Sequence, residues 1–429
     1  MKLRLGIVLL AALAACALAF VITMMLRDRE AAANAILPML TYEELTGSRF
    51  LPPSGNPNRA PTVRVLDVPD FTGATAIWGS TGRDRRGRLW FGVSASGDGG
   101  SAHLFAFDPA GNSWRDHGSV VEQLKTAGLY KPGEGQVKIH SRIVQGGDGW
   151  LYFASTDEEG EKEDGSAPPR WGGHFWRIDP ERGQWQHLFA APEGLVAVAG
   201  VGRFMYVLGY WGHVVFRYDT LTAATKRVQV GSIGGHVSRN IVADARGHVF
   251  VPRVARDPAG APTARLVELD SELRELASTT LEGYFGKGAV QDNHGITGLA
   301  YLPNGRILFV TSRGYLHVID SPDRQAPERP VKVRSLGYVH PEGEAYTASL
   351  FSLGDAGHVA AISATPRGYE WVVADIGSGL ANAYRIDTRD MKDVLLYGSV
   401  ARDNAGRAYA AGWHAIPRGK GPLLLQIDP

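Results

Sequence analysis

One pattern recurs seven times along this chain: a run of alternating apolar residues that closes on aspartate. It reads LFAFDP (104–109), FWRIDP (175–180), VFRYD (215–219), LVELD (266–270), LHVID (316–320), AYRID (383–387) and LLQID (424–428). The aspartates at 108, 179, 219, 270, 320, 387 and 428 step by 71, 40, 51, 50, 67 and 41 residues. With a few enlarged loops, that is the period of a four-stranded repeat unit. A carboxylate at the end of a strand accepts hydrogen bonds from the backbone amides of the next turn, which gives the aspartate a reason to recur. A second marker runs in step with the first: RRGRLWFG (85–92), GDGWLYFA (147–154), GVGRFMYV (200–207), DARGHVFV (244–251), LPNGRILFV (302–310), GDAGHVAAI (354–362) and DNAGRAYAA (403–411). Its glycine supplies the positive φ of a tight hairpin.

The fullest copy spans 138–187, where IHSRIV (139–144), WLYFAS (150–155), HFWRID (174–179) and QWQHLF (184–189) are separated by turn residues. A lone four-stranded sheet is marginal in water and survives by burying its faces against neighbours of the same kind. The two markers together predict an all-β fold, a seven-bladed β-propeller over 61–429. Its blades fall near 75–118, 138–189, 194–230, 236–278, 294–336, 346–390 and 395–429. The last copy stops at Asp428-Pro429, so the strand at 63–68 is expected to supply the outer strand of blade 7 and close the ring. Enlarged connections lie at 119–137, 157–173, 279–293 and 321–345. The acidic one, 157–173, reads as a solvated insertion, since it lacks the ligand spacing of a cation loop.

Ahead of the repeats, residues 5–26 carry no charge and only Thr23 as a polar side chain. Such a stretch is long enough to cross a ~30 Å hydrocarbon core as a transmembrane helix. The chain therefore divides into a signal anchor (1–27), a linker (28–60) with a short helix expected around 39–46, and the propeller (61–429). Lys2 and Arg4 precede the apolar stretch, whereas Asp28 and Glu30 dilute the basic charge after it, which favours the propeller outside. The composition looks bacterial, and no Asn-x-Ser/Thr sequon occurs. The expectation is a single-pass protein of the bacterial inner membrane with a periplasmic propeller. The rival is a lipoprotein lipidated at Cys16 within Leu13-Ala14-Ala15-Cys16. Cys16 is the only cysteine, which excludes disulfides, thiolate metal sites and a CxxCH haem; 45 basic against 44 acidic residues offer no field for nucleic acid.

The chemistry is expected on the face where inner strands begin and where second strands turn into third strands. His140 and Arg142 begin the inner strand of blade 2, His236 and Arg239 that of blade 4, and His294 that of blade 5. His236 and His294 both stand eleven residues before their hairpin glycines, Gly247 and Gly305. His174, Arg313, Tyr210, Trp211, Trp413 and His414 fall near the same face. Two chemistries suit this set. His140, His236 and His294 could jointly hold a divalent metal such as Zn or Mn. Alternatively, Arg142, Arg239 and Arg313 pair with a substrate carboxylate and acidify its neighbouring C–H, while His140 or His294 takes the proton. That is β-elimination on a uronate glycan, with His174, Tyr210, Trp211 and His414 as ligand contacts. The plainer alternative is that such His and Arg side chains bond backbone carbonyls between blades.

KIHSRIVQGGDGWLYFAS followed by GGHFWRIDP resembles the repeat of exported propellers near the oligogalacturonate and ulvan lyases. HGITGLAYLPNGRILFV with LHVID resembles the repeat of NHL, SMP-30 and virginiamycin B lyase-type propellers. The resemblance covers most of 75–429. It implies a lyase-like use of propeller-face residues, offered here by His140, Arg142, His174, Arg239 and His294, with a metal in some members. The calcium ligands of SMP-30 are not recognisable, and a membrane anchor is unusual for a degradative lyase. The competing expectation is a non-catalytic scaffold or binding subunit that docks a protein or glycan partner.

Overall fold

The computed structural model describes residues 58–97, 100–162, 164–286, 293–323, 325–388, 391 and 393–429, with 16–19, 21, 23 and 24 from the N-terminal segment. The chain divides into two units, Met1–Pro38 and Met39–Pro429. In the first, the described residues are helical, and the Thr23 hydroxyl donates to the Ala19 carbonyl at 2.7 Å. No helix among the described residues is long and apolar enough to cross a membrane. Most of the anchor expected over 5–26, the linker up to residue 57 and the helix expected near 39–46 lie outside the described residues.

The second unit is a seven-bladed β-propeller. Seven antiparallel sheets follow one another, six of them built from consecutive strands. The seventh combines Leu395–Arg402, Ala408–Ile416 and Gly419–Asp428 with Thr62–Leu66, whose residues pair antiparallel from Thr62↔Asp428 to Leu66↔Leu424. The N-terminal strand thus closes the ring, as expected. Middle strands are mostly buried, because a blade has neighbours on both faces: Val214–Asp219 is buried along its whole length, whereas the outer strand Thr225–Gln229 is mostly exposed. The core accordingly lies between blades. Trp371 (blade 6) packs with Leu396 and Leu425 (blade 7), and Tyr409 (blade 7) packs with Phe91 and Phe107 (blade 1). Truncating an aromatic such as Trp371 to alanine costs ~3–5 kcal/mol.

Asp108, Asp179, Asp219 and Asp270 act as turn caps. Asp179 accepts from the amides of Glu181 and Arg182, and Asp219 from that of Leu221. Blade 6 corrects one copy: AYRID belongs to the outer strand Ala381–Arg385, and the third strand is Gly368–Asp375. Asp375, not Asp387, caps the turn there, accepting from Gly377 and Ser378. The sequence EWVVAD carries the same pattern, but the short TPRG hairpin before it hides its place. A second aspartate, one hairpin earlier, does similar work. Asp84 accepts from the amides of Arg86 and Arg88, pairs with the Arg88 guanidinium at 2.6 Å and receives the Trp90 indole N–H at 3.0 Å. Asp403 repeats the set with Arg407 and Tyr409. The enlarged connection after blade 1 holds a helix, Val120–Thr126, capped by Ser119, whose hydroxyl accepts from Glu122. The SVVE sequence at 119–122 is the signal for it.

Candidate functional site

The starts of the inner strands surround a depression of about 420 Å³ at one mouth of the axial channel. In blade 2 the inner strand is broken between Lys138–Ile139 and Val144–Gln145. The Ser141 hydroxyl bridges the break, accepting from Ala154 N at 2.8 Å and donating to the Arg142 carbonyl at 3.0 Å. Lys138 and His140 precede this point and line the mouth. In blade 4, Ser238 plays a comparable part, accepting from Ile296 N and donating to the Asn240 carbonyl. Its neighbour Arg239 donates its backbone N–H to the His294 carbonyl at 3.0 Å, which sets Arg239 beside His294.

Tyr397, from the inner strand of blade 7, is the centre of the cluster. The Arg239 guanidinium lies 3.3 Å from its ring centroid and bonds its hydroxyl; a second guanidinium nitrogen reaches the Tyr346 hydroxyl at 3.3 Å. The imidazoles of His140 and His294 flank Tyr397, each with a ring centroid 6.3 Å away. Trp78 meets the same ring edge-on at 4.8 Å, and the Lys138 ammonium sits 4.8 Å over Trp78. Glu158, Glu161, Tyr210 and Trp211 complete the wall. Lys138 pairs with Glu158 at 2.5 Å, and Tyr210 donates to Glu161 at 2.9 Å. Two polar atoms here are buried without a partner: the Trp211 indole nitrogen and His140 Nδ1.

Burial, reinforced by Lys138 and Arg239, holds the His140 pKa well below the usual histidine range. Burial, then Arg239 and Arg313, lower that of His294 to about 3. Both rings are therefore neutral at pH 7. Glu161 moves the other way: burial and the Glu158 charge raise its carboxyl to about 7. The depression thus combines a fixed cation, two neutral imidazoles and a carboxyl that holds its proton near neutral pH.

The geometry sorts the residues singled out in the sequence. His140, Arg239, His294, Tyr210 and Trp211 come together. The three-imidazole metal set does not form. His236 is fully buried, with Nδ1 bonded to the Ser232 hydroxyl at 3.1 Å and Nε2 to the Tyr284 hydroxyl at 2.9 Å. The three rings present no group of mutually close ligand atoms. Arg142 stands apart from this set, because it lies within the break between Lys138–Ile139 and Val144–Gln145 and lines the opposite mouth of the channel. His174 is spent in a buried chain, with Nε2 on Glu134 at 3.0 Å and Nδ1 on His187 at 2.9 Å. Arg313 bonds Asn293 and pairs loosely with Glu344 at 3.9 Å, acting on His294 only through its charge. His414 follows Trp413, whose ring carries the Lys420 ammonium at 4.5 Å, and lies outside the lining. The solvated reading of the acidic loop is corrected at Glu158 and Glu161, which wall the depression. Lys138 and Tyr397 were missed, although both stand at the inner-strand positions that already pointed to His140 and Arg239.

Among the described residues, only Asp244, His248 and Glu268 have the spacing of a metal site. The Arg246 guanidinium already fills it, bonding Asp244 at 2.5 Å and Glu268 at 2.7 Å. This is a buried ion network that also ties down the carbonyls of Pro327 and Arg329.

No family model and no curated protein matches the sequence. Solved structures do match. A protein of unknown function from Dyadobacter fermentans is 11% identical, with a TM-score of 0.50 over 85% of this chain and 99% of that one. The β-propeller domain of the trilobed protease from Pyrococcus furiosus is 10% identical, with a TM-score of 0.47 over 81% and 97%. At such identities the likeness concerns the fold alone.

Proposed function

We propose that this axial mouth binds a carboxylate-bearing glycan, and that residues 5–26 hold the propeller at the periplasmic side of a bacterial inner membrane. The observation that carries the reading is the convergence of Arg239 with the neutral imidazoles of His140 and His294 around Tyr397. A uronate carboxylate pairs with the Arg239 fork. Tyr210 and Trp211 offer a stacking wall.

The same groups meet the demands of β-elimination. Pairing of the carboxylate with Arg239 stabilises charge developing at C5 and offsets the guanidinium charge that depresses His294, so that the imidazole regains basicity and accepts the C5 proton. The C5–H electrons form the C4–C5 double bond as the C4–O4 bond breaks, and O4 takes a proton from the Glu161 carboxyl. A second reading, a non-catalytic scaffold or binding subunit for a protein partner, has one observation in its favour: Arg239 is already engaged by two tyrosines and Lys138 by Glu158.

The test is incubation of the full-length protein in detergent with oligogalacturonate, followed by ultraviolet detection of the C4–C5 unsaturated product. Product lost in His294→Ala and in Glu161→Gln, with binding lost in Arg239→Met, is the expected pattern. Binding without product selects the scaffold reading, and absence of binding refutes the glycan site.

A further inference from the structure

The axial depression leaves Trp413 unused, although this residue stands on the same face. Leu395, where the inner strand of blade 7 begins, pairs with Trp413, so the hairpin that turns between Ile416 and Gly419 rises beside the mouth. The neighbouring inner strand of blade 1 is interrupted between Ala74–Ala76 and Thr81–Arg83, and Trp78 stands in the gap. There the Ile77 N–H donates to the Gly412 carbonyl at 3.0 Å, which sets Trp78 beside Trp413 across the junction of blades 1 and 7. The Lys420 ammonium lies over both indoles, 4.5 Å from the Trp413 ring centroid and 5.7 Å from that of Trp78. Lys420 also lines a depression of about 300 Å³ with Gly73, Thr75, Ser96 and Arg418, and none of its lining residues is acidic.

We propose that this junction is a second carboxylate subsite centred on Lys420, and that the ligand is a polyuronate chain lying across both places rather than a single uronate; this rests on the axial glycan site proposed above. Lys420 differs from the cations around it. Lys138, the other ammonium over Trp78, is paired with Glu158, and Arg418 is paired with Asp70. Lys420 forms no ion pair among the described residues. Stacking on two indoles holds a long, flexible side chain in place and leaves its charge unneutralised. A carboxylate arriving there meets a cation that is already ordered, so less conformational freedom is lost on binding. Short steps join the two subsites. The Arg239 guanidinium lies 3.3 Å from the Tyr397 ring centroid, Tyr397 meets Trp78 at 4.8 Å, and Trp78 carries Lys420 at 5.7 Å. A trisaccharide is long enough to reach from Arg239 to Lys420, whereas one uronate is not.

The test is titration of the full-length protein in detergent, at low salt, with trigalacturonate and with monomeric galacturonate, read by calorimetry. The wild type is expected to bind the trimer more tightly, because only the trimer reaches both cations. Lys420→Met should weaken the trimer roughly three- to fivefold, the scale of one exposed ion pair, and the loss should be confined to the trimer. Lys420→Arg keeps the charge and the stacking, and should hold the trimer within about twofold of the wild type. Lys420 is exposed, so neither substitution disturbs the core. Arg239→Met should weaken both sugars. Unchanged trimer affinity in Lys420→Met, or an equal loss for both sugars, would overturn the subsite and leave the axial site standing. A wild type that binds neither sugar overturns both sites, whereas trimer binding that depends on Lys420 but not on Arg239 upholds the subsite and removes the axial one.

Discussion

Glu161 lies where the acidic loop turns back onto the axial depression, and its environment makes stability depend on pH. Tyr210 donates to it at 2.9 Å, Glu158 and Asp157 add negative charge, and the nearest opposing charge, Lys138, is already held by Glu158. Burial first, then Glu158, raises the carboxyl from 4.5 to about 7. A carboxyl whose folded pKa exceeds its unfolded value binds more proton folded than unfolded between those two values. Stability therefore falls as pH rises from about 4.5 to about 7 and stays lower above that window. The full interval of 2.5 pH units corresponds to ~3.4 kcal/mol at ~1.36 kcal/mol per unit. The side chain is only partly buried, and solvent screening reduces this to ~2 kcal/mol. Glu161→Gln keeps the shape and an acceptor for Tyr210 while removing the charge. It should match the wild type near pH 4 and exceed it by ~2 kcal/mol near pH 8, a gain of ~2.5 °C in Tm for a domain of this size. Thermal melts followed by tryptophan fluorescence at both pH values measure it. Parallel pH profiles for the two proteins, or a less stable variant at pH 8, would refute the reasoning.

Three further outcomes are expected. Arg246→Met leaves Asp244 and Glu268 buried without their cation and should cost ~3–5 kcal/mol, read as a lower urea midpoint at unchanged slope. The His294 imidazole should titrate near 3 in the free protein and move upward in Arg239→Met, because that guanidinium is one cause of the depression; NMR of the ring carbons reads both values. Removal of residues 58–66 exposes the edge of Gly419–Asp428 and should convert a soluble propeller fragment into a self-associating one, seen by size-exclusion chromatography.

Much of the fold was legible in the sequence because each blade repeats the same local devices. Asp108, Asp179, Asp219 and Asp270, the hairpin glycines and the closing strand near residue 63 do what their residue types require. The copy at 383–387 misled because an outer strand there imitates a third strand, and pattern alone cannot say which strand of a sheet a segment becomes. The site was half legible. Positions 140, 239 and 294 follow from the rule that inner-strand starts face the axis, and Tyr397 obeys the same rule without standing out as a His or Arg does. Arg142 follows His140 by two residues, so it points into the same channel, yet the break in the strand carries it to the far mouth. His236 occupies the register of His294 but is captured by Ser232 and Tyr284, two partners distant in sequence or hidden in a loop. Glu161 was read as a surface charge because composition does not reveal that its loop folds inward.

The most direct test of the account is a structure of the protein with a bound oligogalacturonate. The expected result is a sugar carboxylate on the Arg239 guanidinium, with His294 facing C5 and a sugar ring against Trp211. A glycan bound away from the axial mouth, or an empty mouth at saturating oligosaccharide, would contradict it.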